Sequence, residues 1–322
     1  MRRLRLHIGH GKTGTSFLQS ALALSEDVLS TNGIHYPDLT NSFPAARAGR
    51  ITSGNAHVNK RPLIQYAREG HETAPEGASL LFSNEGLFGY FNRNEAPKLL
   101  RAIIAEQFRP DVLCFLRDPL EHAVSLYQQT VKRSGNTHEF KGYLKNYRVP
   151  TEVLRMMDMC EDLGIPVRFH NYSNHRKTIL GLLEDWLELE DGTLVVPERS
   201  TVNRSMTNAE IALQLEFNRH LGNQASKLIS DPLCDQLPDV KSEYPAIEIE
   251  DLKPFLDRMR EQMALVNARL PDAERYNVPE AEEAIAGFRS PHDSELLSFS
   301  REQLAVIANC ICRLIVKLEA ES

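Results

Sequence analysis

Leu4-Arg5-Leu6-His7-Ile8-Gly9-His10-Gly11-Lys12-Thr13-Gly14-Thr15-Ser16-Phe17-Leu18-Gln19 decides the fold. Residues 4–8 alternate apolar and polar side chains and stop at Gly9, the pattern of a strand. From Thr15 onward Phe17, Leu18, Ala21, Leu22 and Leu24 follow helical spacing. Strand, glycine loop and helix in succession open an α/β domain. In the loop, Gly9, Gly11 and Gly14 let backbone N–H groups converge on an anion. The helix N-terminus adds partial positive charge, and Lys12 adds a full one. The hydroxyls of Thr13, Thr15 and Ser16 can donate to the same oxygens. Gly11-Lys12-Thr13 matches the end of the nucleotide loop G-x-x-x-x-G-K-[ST], but Leu6 stands where its first glycine belongs.

Outward from this loop the same alternation continues. Residues 37–56 are rich in Pro, Ser, Asn, Gly and Thr and read as a long surface loop, followed by a helix over 57–69. Apolar runs at 79–83 and 112–116 read as buried parallel strands, with a helix over 95–107 between them. Asp118, Pro119 and Glu121 form a helix start, and that helix runs to about Arg133. A helix at 151–163, a strand at 166–170, a helix at 175–189 and a weak strand at 194–196 follow. Beyond residue 206 helical patterns dominate, at 208–222, 250–268 and 300–319. The expected architecture is a P-loop-like three-layer α/β sandwich around a mainly parallel sheet. It occupies residues 1–205, and a helical lobe occupies 206–322.

The chain has 322 residues, 42% apolar and 25% charged, which supports a sizeable core and excludes global disorder. The net charge of -7 argues against a basic nucleic-acid-binding surface but leaves room for a local cationic pocket. No apolar run approaches the ~20 residues of a membrane span. The basic N-terminus is interrupted by Arg5 and His7, so it does not read as a signal peptide. Five scattered cysteines read as reduced thiols in a cytoplasm, and Cys310-Ile311-Cys312 as helix packing.

A second anion site is legible at 112–129. Arg117 ends a buried strand just before a helix N-terminus, and Ser125 lies on the second turn of that helix. At the end of the strand at 79–83, Ser83-Asn84-Glu85 places a carboxylate where an open α/β sheet forms its cleft. Trp186, the only tryptophan, reads as core.

The stretch from His7 to Gln19 resembles the loop that grips the 5′-phosphosulfate of 3′-phosphoadenosine 5′-phosphosulfate (PAPS) in sulfotransferases. It is closest to bacterial enzymes related to the heparan-type branch. Arg117-Asp118-Pro119, then Ser125 and Tyr127, resembles the 3′-phosphate motif of the same family. The resemblance covers about residues 4–205. It implies that Gly11, Lys12, Thr13, Gly14, Thr15 and Ser16 bind the 5′ end, with Lys12 at the bridging oxygen. Arg117 and Ser125 would bind the 3′-phosphate, a group ATP lacks. It also implies Glu85 as the catalytic base, since sulfuryl transfer to an alcohol needs a proton removed from the attacking hydroxyl. No metal is required where lysine and backbone donors carry the charge. Two positions depart from the family pattern: Asn84 replaces a serine, and His122 an arginine.

These readings imply an enzyme moving a sulfuryl group from PAPS to a hydroxyl, leaving 3′-phosphoadenosine 5′-phosphate (PAP). By the resemblance a carbohydrate hydroxyl is the favoured acceptor, with lipid, phenol and small-metabolite alcohols open as well. His57 is a candidate acceptor contact, and His10 and His57 are competing bases. Asn203-Arg204-Ser205 resembles a further cofactor-contacting segment, while Ser205 or Thr207 equally suits a helix cap. A P-loop nucleotide kinase and a non-catalytic nucleotide-binding module stay open. Acceptor identity and oligomeric state carry no motif.

Overall fold

The computed structural model describes residues 2–198, 204–288 and 298–320. The chain divides into two compact units. One contains residues 1–118, 149–202 and 262–276; the other contains 119–148, 203–261 and 277–322. The chain passes between the units at 118/119, 148/149, 202/203, 261/262 and 276/277, so each unit draws on segments from both sides of residue 205.

The first unit is built on a five-stranded, wholly parallel sheet of order β2-β3-β1-β4-β5. Its strands are β1 (Arg2–Gly9), β2 (Ile34–His35), β3 (Ser79–Asn84), β4 (Phe108–Leu116) and β5 (Val167–Asn171). The helices between them are α1 (Thr15–Leu24), α2 (Glu26–Thr31), α3 (Phe43–Arg47), α4 (Leu63–Thr73), α5 (Gly86–Phe91) and α6 (Ala96–Ala105). Helix α7 (Pro119–Arg133) and α8 (Phe140–Lys145) belong to the second unit. The first resumes with α9 (Val149–Asp162), α10 (Tyr172–His175) and α11 (Ile179–Leu187).

Strand alternation sends side chains to both faces, and both faces are covered. On one, Leu81, Leu113 and Phe115 pack with Leu18 and Leu22 of α1 and Leu183 and Trp186 of α11. On the other, Leu4, Leu6, Ile8, Phe82 and Val112 are fully buried, and α4, α5 and α6 pack there. Each such side chain contributes roughly 1.5–3 kcal/mol. The layering is therefore helix, sheet, helix, as the βα alternation predicts.

The polar residues that give β1 its alternation are buried. Arg5 donates to the Trp186 carbonyl at 2.5 Å and pairs with Glu188 at 3.1 Å. His7 Nδ1 meets Ser83 Oγ at 2.8 Å, and burial pushes its pKa down to about 4, so the ring is neutral. Trp186 is core, as expected, and donates to Asp111 at 3.0 Å.

Several local expectations are corrected. The helix expected from 57 begins at Leu63, because the preceding Pro62 is extended (ψ 144). The loop at 37–56 contains α3. The helix expected over 175–189 is two helices with a break at 176–178. Residues 194–196 form no strand. The Leu194 amide goes to the buried carboxylate of Glu184 at 2.6 Å and the Val195 amide to Ser25 Oγ at 2.8 Å. Side chains thus take the donors a ladder would need.

The described residues of the second unit form helices and connecting loops, with no strand. They include α12 (Asn208–Leu221), α13 (Ser230–Gln236), most of α14 (Ile249–Asn267), α15 (Ala281–Ile285) and α16 (Arg301–Ala320). Thr207 caps α12 in a capping box with Glu210. Glu210 is fully buried; burial alone would raise its pKa, but Arg204 at 2.7 Å, the Thr207 amide and Gln303 hold it low. Asn218 ties α12 to the Val131 carbonyl of α7 at 2.7 Å. All five cysteines are free thiols, and Cys310 packs beside Ile229 and Leu233. No described helix is long and apolar enough to cross a membrane.

Candidate functional site

Parallel strands leave their carboxyl ends along one edge of a sheet, where loops can build a cleft. Here that edge carries residues 9–14 after β1, Glu85 after β3, Arg117 after β4 and Tyr172 after β5.

The loop after β1 is shaped for close approach. A side chain at Gly9 would come within 2.9 Å of the Glu85 Cα and 2.7 Å of Thr15 Cγ2, so only glycine lets the two loops meet. Lys12 has φ 68 and Gly14 has φ 78. A lysine in the left-handed region costs on the order of 1 kcal/mol. Such alternation turns successive amides toward a common centre. Helix α1 starts with Gly14 at its N-cap, so no side chain caps its first amides. Thr15 Oγ1 is buried without a hydrogen-bond partner. A strained lysine, uncapped amides and an orphaned buried hydroxyl fit a small polyanion.

The Thr13 hydroxyl is turned inward and donates to the His10 carbonyl at 2.5 Å, so it is taken up within the loop itself. His10 is buried edge-on against Phe88, with ring centroids 4.5 Å apart. Burial lowers its pKa to about 3, which leaves a neutral ring poorly suited to act as a base near neutral pH.

Glu85 is mostly buried. Burial raises its carboxyl above the ordinary range, and the positive charge of Lys12 pulls it back. Asn84, which departs from the expected serine, braces this turn. Its Oδ1 accepts the Gly86 amide at 2.6 Å, and its Nδ2 donates to the Ser53 carbonyl. His57 sits in the segment whose next residues, Val58 and Asn59, pack against Gly86. Its pKa is lowered by burial, then by Lys60 and Arg61.

Arg117 donates from Nη1 to the Lys12 carbonyl at 3.3 Å and stands over the Tyr172 ring at 5.8 Å. Arg176 approaches the same ring at 5.8 Å, and the ring edge lies 3.1 Å from where a Gly14 Cβ would be. The turn at Asp118 is fixed by Ser173 Oγ, which accepts its amide at 3.1 Å, and by Asn171 Nδ2, which donates to its carboxylate at 3.0 Å.

The structure thus brings Gly11, Lys12, Thr13, Gly14, Thr15, Ser16, Glu85 and Arg117 to one edge of the first unit. Ser125 lies on α7, in the second unit, half-buried. In that unit His122 pairs through Nδ1 with the Tyr147 hydroxyl at 2.8 Å. Arg204 is held by Glu210, and Asn203 lies outside the described residues. Tyr172 and Arg176 were not singled out from sequence. The available signal was an aromatic residue directly after the last strand, the position that faces the cleft.

No protein-family model matches the chain, and no curated protein matches it significantly.

Proposed function

We propose that the chain is a PAPS-dependent sulfotransferase acting on a hydroxyl acceptor, with a carbohydrate the favoured class. PAPS would supply an activated sulfuryl group and leave as PAP. The observation that carries the reading is the electrostatic pull of Lys12 on the Glu85 carboxyl, in two loops that meet at Gly9. A cation that can neutralise a leaving phosphate thus stands beside a carboxylate desolvated enough to hold a proton.

Each residue has a defined task. Lys12 and the first amides of α1 hold the 5′ end and offset charge gathering on the phosphate. Arg117 takes the 3′-phosphate, and Tyr172 offers a flat ring beside it; Ser125 enters by the sequence resemblance alone. Glu85 removes the proton of the acceptor hydroxyl. Burial raises its pKa and so makes it a stronger base than an exposed carboxylate, while the charge of Lys12 opposes part of that shift. His57 would be a contact to the acceptor. No step requires a metal.

The test is transfer of labelled sulfate from PAPS to a panel of glycans and simple alcohols by the intact chain and by Glu85→Gln. The variant should bind PAP as the parent does and turn over at least ~100-fold more slowly. Equal turnover would remove Glu85 from the reaction. Protection by ATP with magnesium but not by PAP would make the chain a nucleotide kinase. PAP binding with no transfer to any acceptor would make it a binding module.

A further inference from the structure

Glu274, far along the chain, is the hub of a cluster outside the anion loop. Its Oε1 lies 2.7 Å from Nδ1 of His170 and 3.2 Å from Nε2 of His175. Its Oε2 accepts the Asn171 amide at 2.7 Å. The three ligand-type atoms all lie within 4.8 Å of one another. His170 comes from β5, His175 from the end of α10, and Glu274 from a 3-10 turn at Asp272–Glu274. Three separate elements therefore converge on one point.

Hydrogen bonding alone leaves this cluster incomplete. Nε2 of His175 is buried and lacks a hydrogen-bond partner, despite its 3.2 Å approach to the carboxylate. A buried nitrogen left so is costly. We propose that His170, His175 and Glu274 bind a first-row divalent cation, zinc being the best match. Two imidazoles and one carboxylate are a borderline donor set, suited to zinc and poorly suited to calcium or magnesium. Bonds of ~2.0–2.2 Å in a tetrahedron hold donors ~3.3 Å apart. The His175 pair already has that spacing, and the His170 pair opens by about half an ångström.

The surroundings agree with this use. Glu274 is oriented by the Asn171 amide, the kind of outer partner that fixes a ligating carboxylate. A cavity of about 570 Å³, lined in part by Phe169, His170, Leu270 and Glu274, gives the ion a path of entry. Three protein ligands leave the fourth position to water. The ion's effect on the fold follows from where its ligands lie. The ion pins the β5–α10 corner, whose Asn171 and Ser173 hold Asp118 and whose Tyr172 lies under Arg117. No step of the proposed transfer passes through it, so the inference stands apart from the sulfotransferase reading.

The experiment uses the intact chain freed of metal by chelation. Cobalt(II) is titrated in while visible absorption is recorded, and zinc is then added. The expected result is a saturable tetrahedral cobalt band that zinc abolishes, with a melting temperature raised by zinc. His175→Ala and Glu274→Gln should each weaken zinc binding more than ~100-fold, beyond the 10–100-fold typical of outer-shell changes. The spectrum of the unmutated protein decides even if a variant fails to fold. No cobalt band in folded protein, or undiminished affinity in both folded variants, would overturn the site and leave a hydrogen-bonded His-Glu-His cluster.

Discussion

Arg117 Nη1 donates to the main-chain carbonyl of Lys12 at 3.3 Å, so the residue that ends β4 touches the residue that leads the anion loop. The Arg117 guanidinium therefore stands against the backbone of the loop that carries Lys12. If Arg117 serves the 3′-phosphate, its loss should be felt only by ligands that carry one. Arg117→Ala should weaken PAP binding ~10–100-fold, the scale of a lost charge-assisted hydrogen bond. Adenosine 5′-phosphosulfate, which has no 3′-phosphate, should bind as before. Calorimetric titration of both ligands checks this; equal losses would mean that Arg117 only supports the loop.

The two glycines at either side of His10 make opposite predictions. A Cβ at Gly9 would meet Thr15 and the Glu85 backbone below 3 Å, whereas a Cβ at Gly11 meets nothing within 4 Å. Gly9→Ala should destabilise the protein by ~1–3 kcal/mol through overpacking. Gly11→Ala should stay within ~0.5 kcal/mol of the parent. Denaturant unfolding of the pair separates a steric requirement from simple loop flexibility.

His7 predicts how stability follows acid. Its folded pKa is about 4, against 6.5 when free, because burial disfavours the charged ring. Between those values the unfolded chain binds a proton that the folded chain refuses. Stability therefore falls as pH drops from 6.5 toward 4, by at most ~1.4 kcal/mol per pH unit from this group. His10, lowered to about 3, acts in the same sense. Thermal melts across this range should show a shallower slope in His7→Gln than in the parent.

Glu210 carries the corresponding prediction for the helical unit. Its carboxylate and Arg204 are both buried and paired at 2.7 Å. Glu210→Ala should cost ~3–5 kcal/mol, because it strands a buried guanidinium. Unfolding by urea measures it; a loss below 1 kcal/mol would mean that water reaches the pair.

The parts of the fold set by local pattern were legible. β1, the glycine loop and α1 appear where alternation and helical spacing place them, and so does the start of α7 at Pro119, whereas β4 begins at Phe108, four residues before the apolar run that signals it, with Pro110 inside it. What escaped depends on distance along the chain or on side chains replacing backbone. β2 has two residues, too few for any period. Asn55 extends the sheet edge beyond it as a surrogate strand residue, donating to the Leu81 carbonyl at 3.0 Å and accepting the Ser83 amide at 2.9 Å. No spacing rule signals that role. Glu274 reaches His170 across 104 positions, so the cluster exists only once the chain is folded. Within the site, the residues that follow strands (Lys12, Glu85, Arg117) could be read, because strand ends are visible in sequence. The partners of Tyr172 could not, because they come from three different loops.

The most direct test of the central claim is calorimetric titration of the purified chain with PAP, alongside Lys12→Ala. The account predicts saturable binding by the parent and a large loss of affinity in the variant with its fold intact. Folded parent protein that takes up no PAP at millimolar concentration would contradict it.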